Sequence, residues 1–190
     1  MDNNLSKHVF LHELGHSFGG LADEYYASEV SYNDFYPKGV EPYEPNITAL
    51  LDPSNVKWKT FLSPGIAVPT EYGKEEVEAL QAELRKALAA SREEAARAKE
   101  KGLPAAEIKA LQDKNTALEK ELVEKMTAVR ARYKDLADKV GVFEGAGYAA
   151  KGLYRPQMDC LMITNTRIEF CVVCRKAIAD MIEYFAPTGR

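Results

Sequence analysis

The chain has 190 residues, a net charge of −4 and 46% hydrophobic residues. That length suits one domain or two with a packed core, and the acidic balance lacks the basic stripe that a nucleic-acid partner requires. No apolar run reaches the roughly 18 residues that a membrane-spanning helix needs, and the polar start, Met1-Asp2-Asn3-Asn4, has no basic n-region of a signal peptide.

Residues 5–19 read as a helix, with Val9, Phe10, Leu11 and Leu14 as its apolar stripe and glycines at its end. It contains the run HELGH. His12 and His16 are four residues apart, so on a helix both imidazoles lie on one face, one turn apart, within reach of one metal ion. Glu13 sits on the flank of that pair and is placed to hydrogen-bond a water on the metal, which is the position of a general base for hydrolysis. Zinc lowers the pKa of such a water to about 7. The pattern alone is short, but all three histidines of the chain fall between positions 8 and 16. In addition, Gly19-Gly20 permits a sharp reversal that returns Asp23-Glu24 towards the same ion. His8, one turn before His12, reads as a first-turn helix residue or a partner of the ligands, because three successive turns do not converge well on one ion. A helix of this kind normally follows a twisted sheet. The helix begins almost at the first residue, so the chain reads as a fragment.

Residues 20–72 are irregular and rich in Tyr, Pro, Asn and Asp, as loops and short strands are. Asn46-Ile47-Thr48 is a glycosylation sequon by pattern and is read as serving a turn. Residues 74–139 change abruptly to Ala, Glu, Lys, Leu, Arg and Gln. Val77, Leu80, Leu84, Ala87, Ser91, Ala95 and Ala98 follow a three-four spacing, and so do Ile108, Leu111, Asn115, Leu118, Leu122, Val129 and Leu136. This is the seam of an antiparallel helical hairpin. Gly102 suits the left-handed end of the first arm and Pro104 the start of the second. At about 1.5 Å per residue each arm projects roughly 40 Å. The hairpin reads either as an insertion tolerated in a surface loop, which is preferred, or as a docking arm for a protein partner. Three segments follow: 1–73, a catalytic helix with a loop-rich site region; 74–139, the hairpin; and 140–190, which completes the domain.

The last segment ends in a helix from about Glu169 to Phe185, stopped by Pro187. Its apolar face (Phe170, Val173, Cys174, Ala177, Ile178, Met181, Ile182, Phe185) reads as core packing without chemistry. Cys171 and Cys174 form a C-x-x-C with Cys160 upstream. A structural zinc site lacks an evident fourth ligand, and a redox motif would want a thioredoxin-type sheet. A disulfide from Cys160 to Cys171 or Cys174 is therefore the expectation, with three buried thiols as the alternative.

The run HELGHSFGGLADEY resembles the zinc motif of the M64 family, the IgA-peptidase-like metallopeptidases. Pro45-Asn46-Ile47-Thr48-Ala49, Lys57-Trp58-Lys59, Val142-Phe143-Glu144-Gly145-Ala146-Gly147-Tyr148, Gly152-Leu153-Tyr154-Arg155-Pro156 and Asp159-Cys160-Leu161-Met162 extend the likeness over about 5–72 and 139–185, with the hairpin outside it. The motif is also similar to the metzincin pattern HExxHxxGxxH/D, except that a gap-free reading puts the third ligand on Ala22, which cannot bind metal. One extra residue after the glycine turn makes Asp23 the third ligand, with Glu24 as the alternative.

The resemblance implies a methionine turn beneath the metal, for which Met162 is the candidate and Met158 the second. Tyr154 and Tyr148 are candidates for stabilising an oxyanion. The fold expected is α+β, mainly helical: a metzincin-like zinc-site half-domain with an inserted antiparallel helical hairpin. The function expected is a zinc-dependent endopeptidase acting on a polypeptide substrate, secreted or periplasmic in a bacterium. The rival reading is a truncated, non-catalytic zinc-binding remnant whose coiled-coil arm mediates protein interaction.

Overall fold

The computed structural model describes residues 4–26, 35–164 and 167–186. They form a mainly helical α+β structure with four α-helices: α1 (Asn4–Ser17), α2 (Lys74–Glu100), α3 (Ala105–Arg132) and α4 (Val172–Phe185). A single antiparallel pair of strands, β1 (Phe143–Ala146) and β2 (Ala149–Arg155), completes them. Two compact units emerge, one of Met1–Glu71 with Asp135–Arg190, the other Tyr72–Lys134. The second unit thus ends a few residues before position 139, because the short 3-10 turn Lys134–Leu136 leads the chain back into the first. Among the described residues no helix is long and apolar enough to cross a membrane.

The hairpin unit follows its seam. Ala98, Leu122, Met126 and Val129 are buried, and the other seam positions of α2 and α3 are half-buried. Met126 fills the seven-residue gap left between Leu122 and Val129 in the sequence reading. Asn115 donates its side-chain amide to Ser91 Oγ across the seam, so this polar pair fixes the register that an Asn at such a position is suited to specify. The turn is built on Gly102 at φ 67°: Leu103 N–H reaches Ala98 O (3.0 Å) and Gly102 N–H reaches Lys99 O (3.1 Å), the two bonds of a Schellman end. At the base of the hairpin Gly73 lies against the Tyr133 ring, so closely that a Cβ there would sit 2.6 Å from Tyr133 Cε2.

In the first unit the core gathers Leu21, Val56, Trp58, Val140, Val142, the turn Cys160-Leu161-Met162, and Cys171, Val173, Cys174 and Ala177 of α4. Trp58 is fully buried and its indole N–H finds Gly141 O at 2.7 Å. The strands pair Phe143 with Arg155 and Ala146 with Ala149, with an irregularity at Gly145. Gly147 and Tyr148 both take positive φ (55° and 64°), as a two-residue hairpin turn of the right twist demands. Tyr148 is the exception that needs a cause, since a bulky residue enters the left-handed region only at a cost.

Several sequence expectations change here. The apolar stripe of α1 does not face the core: Val9 and Phe10 are 49% and 67% exposed, and the inward face is His8, His12, Gly15 and Gly19 with Leu11 beside them. The three cysteines are free and buried rather than bridged. Helix α4 starts at Val172 rather than Glu169, because Cys171 acts as its N-cap, its sulfur accepting from Cys174 N–H. Only the first half of its apolar face is buried; Ile182 and Phe185 are exposed. Pro187 lies outside the described residues.

Candidate metal centre

Helix α1 carries His12 and His16, and the chain reverses immediately after it. Gly20 takes φ 60°, and Leu21 N–H donates back to Gly15 O at 3.1 Å. Gly19 has no room for a side chain, since a Cβ would lie 2.8 Å from Gly15 O. The reversal lays residues 22–26 beside the helix and brings Asp23 Oδ1 within 3.0 Å of His12 Nε2 and 3.4 Å of His16 Nε2. The two Nε2 atoms are 3.1 Å apart.

The outer nitrogens fix the tautomers. His16 Nδ1 faces Leu21 O at 2.7 Å and His12 Nδ1 faces Leu161 O at 3.3 Å. A carbonyl only accepts, so in each neutral ring the proton is on Nδ1 and Nε2 presents a lone pair. Two lone pairs and a carboxylate oxygen then converge with no proton between them, and Asp23 Oδ1 is buried with no hydrogen-bond partner. One ligand atom from each of His12, His16 and Asp23 falls within 4.8 Å of the others, as a metal ion requires. Carbonyl-anchored imidazoles are also how metal-binding histidines are held in orientation. The residues present therefore fit a metal ion by their own geometry.

The other carboxylate oxygen does have a partner. Tyr148 donates its hydroxyl to Asp23 Oδ2, which gives the left-handed backbone at Tyr148 a cause. The hairpin tip is clamped to the same segment by Gly147 N–H to Asp23 O (2.9 Å) and Tyr148 N–H to Tyr25 O (3.1 Å). Burial first, then the Asp23 hydrogen bond, drives the Tyr148 phenol well above its ordinary value. Tyr25 packs edge-on against Tyr148, rings 5.2 Å apart, and shares hydrogen bonds with Tyr148 and Asp23. Its phenol is raised by burial first, and the nearby charges of Asp23 and Glu13 add to this. Tyr25 had no distinguishing mark in the sequence beyond following Glu24. Glu13 itself is exposed.

The remaining site candidates separate. Met162 is fully buried and packs beneath α1, its sulfur so near Gly15 that a Cβ there would sit 2.9 Å from it and 3.0 Å from the Phe170 ring. Met158 is half-buried and outside that contact. Replacing Gly15 by Val is accordingly expected to cost about 1–3 kcal/mol of stability through overpacking. Thermal unfolding in chelator checks it, and an unchanged midpoint would show that α1 does not rest on Met162. Tyr154 pairs with Thr48 through backbone bonds of 2.9 and 3.1 Å, and it is not among the side chains that meet at His12, His16 and Asp23. His8 donates from Nε2 to Thr164 O (2.8 Å) and stacks on His12 at 5.8 Å, outside the ligand cluster. Glu24 turns away from the histidines into a cluster with Cys160, Cys171 and Cys174. Asn46 lies in a turn, but its side chain is fully buried and closed to a glycan, accepting from Ala22 N–H (2.8 Å) and donating to Ala22 O and Glu24 Oε1 (both 2.9 Å).

The family model described as IgA Peptidase M64 matches residues 1–182. The chain belongs to the M64 peptidase family. The matched span runs through the hairpin as well as the two segments that the sequence motifs covered. Among curated proteins none matches the chain. M64 peptidases are metallopeptidases, which agrees with the metal-competent cluster of His12, His16 and Asp23.

Proposed function

We propose that this M64 chain carries the catalytic metal centre of a zinc-dependent endopeptidase, with His12, His16 and Asp23 as ligands and Glu13 as general base. The observation that supports it most is the meeting of the two Nε2 atoms, whose Nδ1 atoms face carbonyls, with the buried Asp23 Oδ1 that has no hydrogen-bond partner. Two neutral imidazoles and one carboxylate form a zinc-type donor set that leaves a position for water or substrate. When bound, the ion supplies Lewis-acid chemistry, polarising the scissile carbonyl and making water acidic enough to react near neutral pH.

The chain's residues do the rest. Glu13 takes the proton from the attacking water and returns it to the leaving amine nitrogen. Tyr148 and Tyr25 hold Asp23; the hydroxyl proton of Tyr148 is committed to Asp23 Oδ2, which favours a positioning role over one at an oxyanion. Met162 gives α1 an apolar floor under Gly15. The substrate class is a polypeptide. The first test is metal content: protein prepared without chelator should lose the zinc of this site in the double variant His12→Ala, His16→Ala. Unchanged metal content in that variant would sink the proposal. Bound zinc with no peptide hydrolysis by the unaltered chain would instead support the non-catalytic remnant.

The hairpin is read as an insertion whose removal leaves this centre intact. Its two ends meet at the contact of Gly73 with Tyr133, so a short Gly/Ser linker can replace residues 74–133 without a large closure cost. The shortened protein should keep its zinc by elemental analysis. Loss of zinc would make the hairpin part of the fold, and retained zinc with lost cleavage of proteins but not peptides would make it a substrate-docking arm.

A further inference from the structure

A second group of metal-competent side chains lies in the core of the same unit. Glu24, Cys160, Cys171 and Cys174 are all buried, and one ligand atom from each falls within 4.8 Å of the other three. Cys160 Sγ and Cys174 Sγ are 3.9 Å apart, and Cys174 Sγ is 3.0 Å from Glu24 Oε1. A disulfide needs sulfurs about 2.0 Å apart. Thiolates bound tetrahedrally at about 2.3 Å from one zinc ion stand roughly 3.8 Å from each other. The observed spacing is that of ligands around an ion. The fourth ligand absent from the sequence reading is Glu24, whose Oε2 is buried without a hydrogen-bond partner.

Hydrogen bonds and a helix terminus hold these side chains in place. Cys171 caps the N-terminus of α4, where a thiolate is favoured by the helix dipole. Cys171 N–H points at Cys160 Sγ (3.2 Å) and Cys174 N–H at Cys171 Sγ (3.5 Å). Asn46 donates to Glu24 Oε1 at 2.9 Å. Hydrogen bonds to bound sulfurs and carboxylates of this kind hold ligands in place and offset their charge.

We propose that Glu24, Cys160, Cys171 and Cys174 form a closed, structural zinc site separate from the His12–His16–Asp23 centre. Four protein ligands in a buried setting leave no position for substrate, so the ion's task is to join chain segments. It ties the turn at 160–162 and the start of α4 to residue 24, whose N–H already bonds Met162 O at 2.9 Å. The residue before it is Asp23, so the second ion anchors the segment that supplies the first ion's carboxylate.

The test counts metal and does not depend on hydrolysis. Unaltered protein prepared without chelator should carry two zinc ions per chain, and His12→Ala, His16→Ala should keep one. No zinc in that variant would overturn the proposal; failure of the catalytic-centre reading would look different, as metal lost only with the cysteines. Cobalt loaded into the histidine variant should show intense sulfur-to-metal charge-transfer absorption, and a spectrum of nitrogen and oxygen ligands alone would overturn it. Cys171→Ser, Cys174→Ser should lose the second ion. Because that variant can fail to fold, an organomercurial titration of the unaltered protein is the parallel arm. Titration should release one zinc as the three thiols react, and an intact mass lower by two hydrogens, with only one reactive thiol, would establish a disulfide instead.

Discussion

Glu13→Gln should keep its zinc and lose peptide hydrolysis by roughly 10²–10⁴-fold, the range in which a positioned general base contributes. The hundredfold end of that range corresponds to about 2.7 kcal/mol of barrier. The amide has nearly the shape of the carboxylate and remains on the exposed flank of α1, so packing and ligands are untouched. Only the capacity to accept and return a proton is removed. Metal content and kcat/KM measured on the same preparation separate the two effects. Full activity in Glu13→Gln removes the mechanism, and loss of zinc together with activity would place Glu13 among the ligands.

The sequence made the local parts of this structure legible because their signals are local. The pair His12–His16 needs only helical period, Gly20 only a left-handed turn, and the α2–α3 seam only heptad spacing with Gly102 at its end. What was not legible depends on contacts across many residues. The pattern could not choose between Asp23 and Glu24, which are adjacent; in an extended segment neighbouring side chains point to opposite sides, and the two carboxylates join different clusters. Tyr25 and Tyr148 come together only because the strand turn at 147–148 lies along residues 23–26. The disulfide expectation failed for a similar reason: a fourth ligand was sought near the cysteines in sequence, but it sits at position 24. The apolar stripe of α1 misled because the inward face of this helix is polar and small, made of histidines and glycines.

Asp23→Ala should lose the metal of the histidine centre, while Glu24→Ala should leave zinc on His12 and His16 and empty the cysteine cluster. The contrast follows from the ligand atoms: Asp23 Oδ1 is 3.0 and 3.4 Å from the two Nε2 atoms, whereas Glu24 Oε1 is 3.0 Å from Cys174 Sγ. Two neutral imidazoles left alone hold a dication without compensating charge, so affinity falls by more than the roughly 10–100-fold expected when only an outer partner of a ligand is lost. Tyr148→Phe supplies that milder case. It removes the hydroxyl that orients Asp23 Oδ2 but leaves the ring against Tyr25, so zinc should bind about 10–100-fold more weakly with the fold unchanged. Competition with a chelator reads the affinities, and cobalt spectra assign each loss to the nitrogen-oxygen or the sulfur site. Retention of zinc in Asp23→Ala, with its loss from the histidines in Glu24→Ala, would exchange the two carboxylates and overturn the ligand set.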